Sequence, residues 1–253
     1  EFIGFEIECE DDIHDYIESN MIRRTKDEVN IEIPSHKTKL HFVSFQKKGE
    51  EKLYNKINKE MGSLSEIKPL EKILRLRQTC IIPKGLAKTL EKKYKERLVT
   101  EELTNAKLNA IVKTITKNTN ERPVVFTHFR HEIEYLRILL TKKGVNVGII
   151  SGEISHEERN LTINDESLKV LLVQISAGGT GLNLQHYDTV YFTAPNWNPS
   201  LEQQAIARVH RIGQRKNVKV RKFIMGSISK ATIEKRIIEV QKIKNRIIET
   251  FIN

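Results

Sequence analysis

Residues 170–220 read VLLVQISAGGTGLNLQHYDTVYFTAPNWNPSLEQQAIARVHRIGQRKNVKV, and the class of fold is decided here. Two short and almost wholly apolar runs, VLLVQI (170–175) and TVYFT (189–193), are bounded by polar turns, so they read as strands buried on both faces. Between them lies the glycine-rich loop Ser176-Ala177-Gly178-Gly179-Thr180-Gly181, where backbone N–H groups can approach a phosphate closely. Taken singly, each glycine is equally well explained by a tight turn. Pro199 and Ser200 then open a helix predicted to run through SLEQQAIARVHRIGQ. On a 100° wheel counted from Leu201, Ala205, Val209 and Ile212 fall at about 40°, 80° and 20°, a buried stripe. Gln204, Arg208 and Arg211 fall at about 300°, 340° and 280°, along the edge of that stripe where a cleft would lie. Two arginines and a glutamine so placed suit an anionic ligand, and the alternative is a pair of solvated arginines.

Working outward, VVFTH (124–128) and NVGII (146–150) are further strands, separated by a helix from about His131 to Lys143 and followed by a helix start after Ser155. Apolar strands alternating with helices specify an α/β fold, a parallel sheet with helices on both faces. Ligands of such sheets gather at the carboxyl ends of the strands. The loops there are polar: Thr127-His128-Phe129-Arg130, Ser151-Gly152-Glu153, residues 176–181, and Ala194-Pro195-Asn196-Trp197-Asn198-Pro199. Before residue 104 the texture differs. Thr38–Phe45 is strand-like, and Gln46–Met61, Ile67–Cys80 and Leu86–Leu103 have helical spacing, interrupted at Gly62, Ser63 and Pro83.

The 253 residues fit one large domain, or a domain with an appendage, and no apolar run approaches the roughly 18 residues of a membrane span. No partner role for a membrane is expected. Cys9 and Cys80 make neither a disulfide framework nor a zinc site, which fits a reducing intracellular compartment. A chain that begins at Glu1 reads as a fragment. Residues 1–20 hold eight acids and no Lys or Arg, so the 43 cations and 25 acids of the remainder leave +18. That surplus points to a polyanionic partner, nucleic acid ahead of anionic lipid, unless the lysine-rich helices are simply solvated.

The blocks AGGTGLNL, WNP and QQAIARVHRIGQ, in this order, resemble motifs V and VI of the Swi/Snf family of helicase-like DNA translocases. VVFTHF (124–129) is similar to motif IV, and ISGEISHEERN (150–160) to the block that follows it. Ile22-Arg23-Arg24-Thr25-Lys26 with Ile33-Pro34-Ser35-His36-Lys37 resembles the segment that enters the second lobe. LRLRQTC (74–80) with Pro83, and NAKL (105–108), are similar to two further family segments. No GxxxxGK[ST] loop or acidic Mg²⁺ motif occurs, so the resemblance implies the second RecA-like lobe of a two-lobe motor, inactive by itself.

The resemblance further implies that ATP and Mg²⁺ are held mainly by the first lobe, with Arg208 and Arg211 as fingers and Gln204, Gly181 and Asn183 beside the nucleotide. Thr127, His128, Ser151, Gly152, Ser176, Ala177, Gly178, Gly179, Thr180 and Trp197 would face double-stranded DNA. Trp197 and His128 each have a structural alternative, packing for the first and an internal donor for the second. The implied divisions are an acidic entry segment (1–36), a helical protrusion with one strand (37–104), the RecA-like lobe (105–226) and a C-terminal brace helix (227–253), in which Lys235 stands where a second acid is usual. Two other readings are an RNA-directed or restriction-type motor of superfamily two, and a nucleic-acid-binding or docking module without catalysis. HRIGQ favours the double-stranded-DNA translocase over the RNA-directed motor, since RNA-directed relatives usually carry HR-x-GR. A nuclear location is expected in a eukaryote, otherwise the cytoplasm or a viral factory or virion.

Overall fold

All the residues of Pro123–Thr127 (β2) and Thr189–Phe192 (β5) are buried, and so are the first four of Val170–Gln174 (β4). With His36–Val43 (β1), Val147–Ile150 (β3) and Val218–Met225 (β6) they form one six-stranded sheet in the order β1-β6-β5-β2-β4-β3, with every pairing parallel. This computed structural model describes residues 19–20, 33–60, 69–94, 101–177, 181–226 and 231–252. Its helices are α1 (Lys48–Glu60), α2 (Pro69–Ile81), α3 (Pro83–Tyr94), α4 (Ala106–Lys117), α5 (Arg130–Thr141), α6 (His156–Asn164), α7 (Pro199–Val209) and α8 (Ile233–Ile252).

Alternation along the central strands sends neighbouring side chains to opposite faces. Val125, Leu172, Tyr191 and Phe223 pack with α1 to α5, whereas Val124, Phe126, Leu171, Val173, Val190 and Phe192 pack with α6 and α7. Both faces are thus covered, as the apolar runs require, and the fold is the expected α/β layer.

Three elements differ from the sequence expectation. No strand is expected over 218–225, yet β6 sits inside the sheet between β1 and β5. β1, expected within the helical segment at 38–45, spans His36–Val43 and pairs along its whole length with β6, from His36 with Val218 to Val43 with Met225. The helical segment does not stand apart either, because Leu53, Leu76, Cys80 and Leu90 share one continuous core with Leu108, Leu136 and Val125.

The third difference is α7, which stops at Val209 rather than continuing to Gln214. The Gln214 side chain causes this by reaching back to donate to the Val209 carbonyl at 3.2 Å, capping the helix from beyond its end. Gly213, at φ +92°, turns the chain in a conformation that costs glycine little. Ile212, placed by the wheel in the buried stripe, is consequently 67% exposed.

Candidate nucleic-acid and nucleotide interface

A parallel sheet brings the loops after β2, β3, β4 and β5 to one edge. What they offer there is set by how each is tied down. Thr127 is completely buried, and its hydroxyl donates to the Val173 carbonyl at 3.3 Å. Glu132, on the first turn of α5, turns its buried carboxylate toward the same loop. It accepts from the backbone N–H of His128 at 3.1 Å and of Phe129 at 2.8 Å, and from the Thr193 hydroxyl. Burial pushes this carboxyl upward, against the pull of those three donors.

His128 is equally committed. Its Nε2 lies 2.9 Å from the Ala194 carbonyl and its Nδ1 3.3 Å from an Arg77 guanidinium nitrogen. A carbonyl only accepts, so the ring carries its proton on Nε2 and presents a bare Nδ1 to Arg77. Burial, with the Arg77 charge beside it, holds the imidazole down at about 3. Thr127 and His128, expected to face DNA, are therefore internal bracing: neither leaves a side-chain donor at the surface.

Farther along the edge, Ser151 is half-buried, Gly152 and Ser176 are exposed, and the Ala177 N–H is spent on the Gln174 carbonyl at 2.9 Å. A Cβ built on Gly152 would meet nothing within 4 Å, so the backbone is open to a ligand there. Gly178, Gly179 and Thr180 lie outside the described residues. Trp197 is half-buried, and its carbonyl accepts from Lys244 of α8 at 3.1 Å, which ties its loop to the C-terminal helix. Arg130 and Glu153 pair at 2.7 Å across the β2 and β3 loops, both largely exposed.

The nucleotide-facing residues fall into two groups. Gln204 is exposed on α7 and Arg208 half-buried one turn later, while Arg211 is half-buried past the end of the helix, off the predicted stripe. His210 between the arginines is anchored, its Nε2 at 2.6 Å from the Pro34 carbonyl and its ring 4.7 Å from that of His36. Gly181 (φ +48°) and Asn183 instead line a cleft of about 350 Å³ with His156, Arg159, Asn160 and His186. One backbone bond joins the groups: the Leu184 N–H donates to the Arg208 carbonyl at 3.0 Å. Among the described residues no group of three or more His, Cys, Asp or Glu could hold a metal ion. Arg208 and Arg211 carry the kind of charge that a triphosphate takes opposite it.

Two buried residues that brace α7, Glu202 near its start and Gln214 past its end, were not among the predicted site residues. Glu202, buried on α7, accepts from Asn196 N–H at 2.6 Å, from Gln241 of α8 at 2.7 Å, and from Lys222 of β6. Gln214 donates to the Gln185, Tyr187 and Val209 carbonyls and accepts from the N–H groups of Arg215 and Lys216, both at 2.9 Å. Their partners lie far along the chain or beyond a turn, where periodicity carries no signal.

Two family descriptions match the chain: the SNF2-related domain over residues 5–119 and the helicase conserved C-terminal domain over residues 106–213. The DNA repair protein RAD5 of Cryptococcus neoformans is 35% identical over 155 residues, covering 58% of this chain and 13% of that protein. An uncharacterized ATP-dependent helicase of Mycoplasma pneumoniae is 31% identical over 241 residues, covering 90% of this chain and 22% of its own length. A probable global transactivator of Orgyia pseudotsugata multicapsid polyhedrosis virus is 27% identical over 254 residues, 89% of this chain and 50% of that one. The chain thus spans half or less of these relatives. The crystal structure of the C-terminal part of the Fun30 ATPase domain superposes with a TM-score of 0.67 at 19% identity, covering 83% of this chain and 90% of that one, a likeness of fold. With the two family matches overlapping at residues 106–119 and together covering residues 5–213, and the described parts of the motif V and VI segments at the edge and flank of a parallel sheet, the chain belongs to the Swi/Snf family of helicase-like proteins and carries that family's second RecA-like lobe.

Proposed function

We propose that the chain is the second motor lobe of an ATP-driven translocase of double-stranded DNA. It would contribute the finger arginines Arg208 and Arg211 to a nucleotide held on the first lobe, and a phosphate-gripping edge to the duplex. The observation that carries this reading is the bond from Leu184 N–H to the Arg208 carbonyl, which joins the segment after the β4 loop to the arginine end of α7. A displacement of the arginines toward a triphosphate is thereby transmitted to the loop that precedes Leu184, and from there to the carboxyl edge. Gly152, Ser151 and Ser176 offer backbone and hydroxyl groups there, which recognise phosphate without reading bases. The description of several relatives as DNA repair proteins and of others as ATP-dependent helicases supports the choice of DNA and ATP. When bound, ATP with Mg²⁺ supplies the free energy. The role of this chain is to neutralise charge on the phosphates and to grip the strand.

The test belongs in the complete protein, with both lobes present. Arginines aimed at transition-state charge typically contribute about 10³–10⁵ in rate, so Arg211→Ala and Arg208→Ala should each nearly abolish DNA-stimulated hydrolysis while leaving the unfolding midpoint in place. Retention of more than roughly a tenth of wild-type turnover would move the catalytic role off these residues.

A further inference from the structure

We propose that Arg77 is a positioning residue through which the helical segment α1–α3 sets the two loops that follow β2 and β5. This rests on the translocase reading only for its effect on DNA.

Arg77 belongs to the last turns of α2, a helix whose inner end is fixed: Leu76, Thr79, Cys80 and Ile81 around it are all buried. From that anchored end one guanidinium nitrogen reaches two acceptors at 3.3 Å, the Pro195 carbonyl in the loop after β5 and the bare Nδ1 of His128 in the loop after β2. The other ring nitrogen of His128 donates to the Ala194 carbonyl. The imidazole is thus a spacer between Arg77 and the residue next to Pro195, and the two loops meet through it. Glu132 ties them a second time, holding the His128 and Phe129 N–H groups and the Thr193 hydroxyl. The loops move as one body, and Arg77 is the hand of the helical segment upon it. A half-buried cation aimed inward here is otherwise hard to account for. Burial depresses the guanidinium, and the acids that support its charge, Glu234 and Glu132, belong to α8 and α5 rather than to α2. A side chain serving only to fill space would be apolar. Beyond Pro195 the same loop carries Trp197, the one tryptophan of the chain, which makes its position observable.

Arg77→Met keeps the stem and removes the donors, and Lys88→Met, at an exposed position of α3, removes the same charge elsewhere. Three readouts on the 253-residue chain decide the matter: ¹⁵N resonances of the His128 ring at neutral pH, the emission of Trp197, and the affinity for duplex DNA. In Arg77→Met the Nδ1 resonance and the Trp197 emission should both shift, and affinity should fall about five- to tenfold more than in Lys88→Met, the loss expected for one ordinary hydrogen bond. Arg77→Lys again offers one nitrogen with several N–H donors, so it should restore the two signals together. Unchanged His128 and Trp197 signals in Arg77→Met would overturn the proposal. Equal affinities of the two methionine variants would overturn its bearing on the grip. A wild-type chain that binds no duplex defeats the translocase reading alone, since the ring and Trp197 signals still decide the positioning role. Should Arg77→Met fail to fold, Arg77→Gln, shorter and uncharged, decides by the same signals.

Discussion

Buried carboxylates and amides hold this lobe together at the residue scale. Glu50, Glu121, Glu132, Glu202 and Glu234 are all buried, and each collects donors from more than one segment. Glu50, for example, takes the Gln46 N–H at 2.7 Å and the Thr104 N–H at 3.1 Å, closing the entrance of α1 over a distant strand of chain. A carboxylate serves where a helix start must be joined to something remote, because its two oxygens accept from several N–H groups together. Gln214 does the same with an amide, so Gln214→Ala strands three carbonyls and two N–H groups. Urea unfolding should register a loss of about 3 kcal/mol. His128 gives the lobe a pH dependence of known sign. The unfolded chain takes up a proton near pH 6.5 that the folded chain refuses until about pH 3. Stability from this group is therefore complete above pH 6.5 and declines as pH falls through that window, by up to about 1.4 kcal/mol per unit. Glu132 and Glu234, pushed up by burial, act in the opposite sense, favouring the fold as pH falls toward their raised values. The slope must thus be read as a difference. Urea midpoints from pH 7 to 4.5 should fall more steeply for wild type than for His128→Gln.

Helix α8 shows how an element is docked when neither its sequence nor its neighbours are wholly apolar. Ile237 is fully buried, but Ile243 and Ile247 are each 52% exposed, so the apolar stripe fixes only the first half. The rest of its fastening is polar: Glu234 holds the Met225 N–H at 2.7 Å and pairs with Lys107 of α4, both side chains completely buried, and Gln241 reaches Asn196 and Glu202. Removing one member of a buried pair leaves the other charge without compensation. Lys107→Met should cost about 3–5 kcal/mol in thermal or chemical unfolding, and adding Glu234→Gln, which keeps an acceptor for Met225, should recover a good part of it. This pattern of fastening also explains what could be read from the sequence. β2, β4 and β5 are legible because burial on both faces makes them apolar throughout, and α6 because Ser155 and Glu158 form a local capping box. β6 escapes because its alternation breaks after four residues at Arg221-Lys222, too short a pattern to mark a strand, and its partner β1 is remote. The end of α7 escapes because a side chain five residues beyond supplies the cap. Among the site residues at the carboxyl edge, Gly152 and Ser176 are exposed, whereas the side chains of Thr127 and His128 are turned inward by partners 46 and 51 or more residues away.

Over the whole molecule, charge and topology act together. The chain carries +10, and everything after residue 20 carries +18. Attraction of a polyanion by such a body is diffuse, whereas contact through the edge loops is local, and one substitution separates them. Gly152→Val adds bulk where nothing obstructs it and leaves charge untouched, so the fold should persist while close backbone approach is lost. Duplex titrations at several salt concentrations should give a log–log slope of about −3 to −4.5 for wild type, from three to five phosphate contacts, and a smaller slope with weaker binding for Gly152→Val. Equal curves would leave only the diffuse field. The pairing of β1 with β6 has a further consequence, which concerns the order of events during synthesis. The Ser35 hydroxyl that meets Asn217 waits for a partner 182 residues later, and β1 emerges as an edge with nothing to lie against. At about 5–20 residues per second that interval is roughly 10–40 s, during which the strands β2 to β5 can already assemble. Until β6 emerges the sheet lacks both seams that strand makes, to β5 and to β1, and the β1 seam spans the whole interval. The seam closes last, with the strand that holds the body to whatever precedes it in the chain.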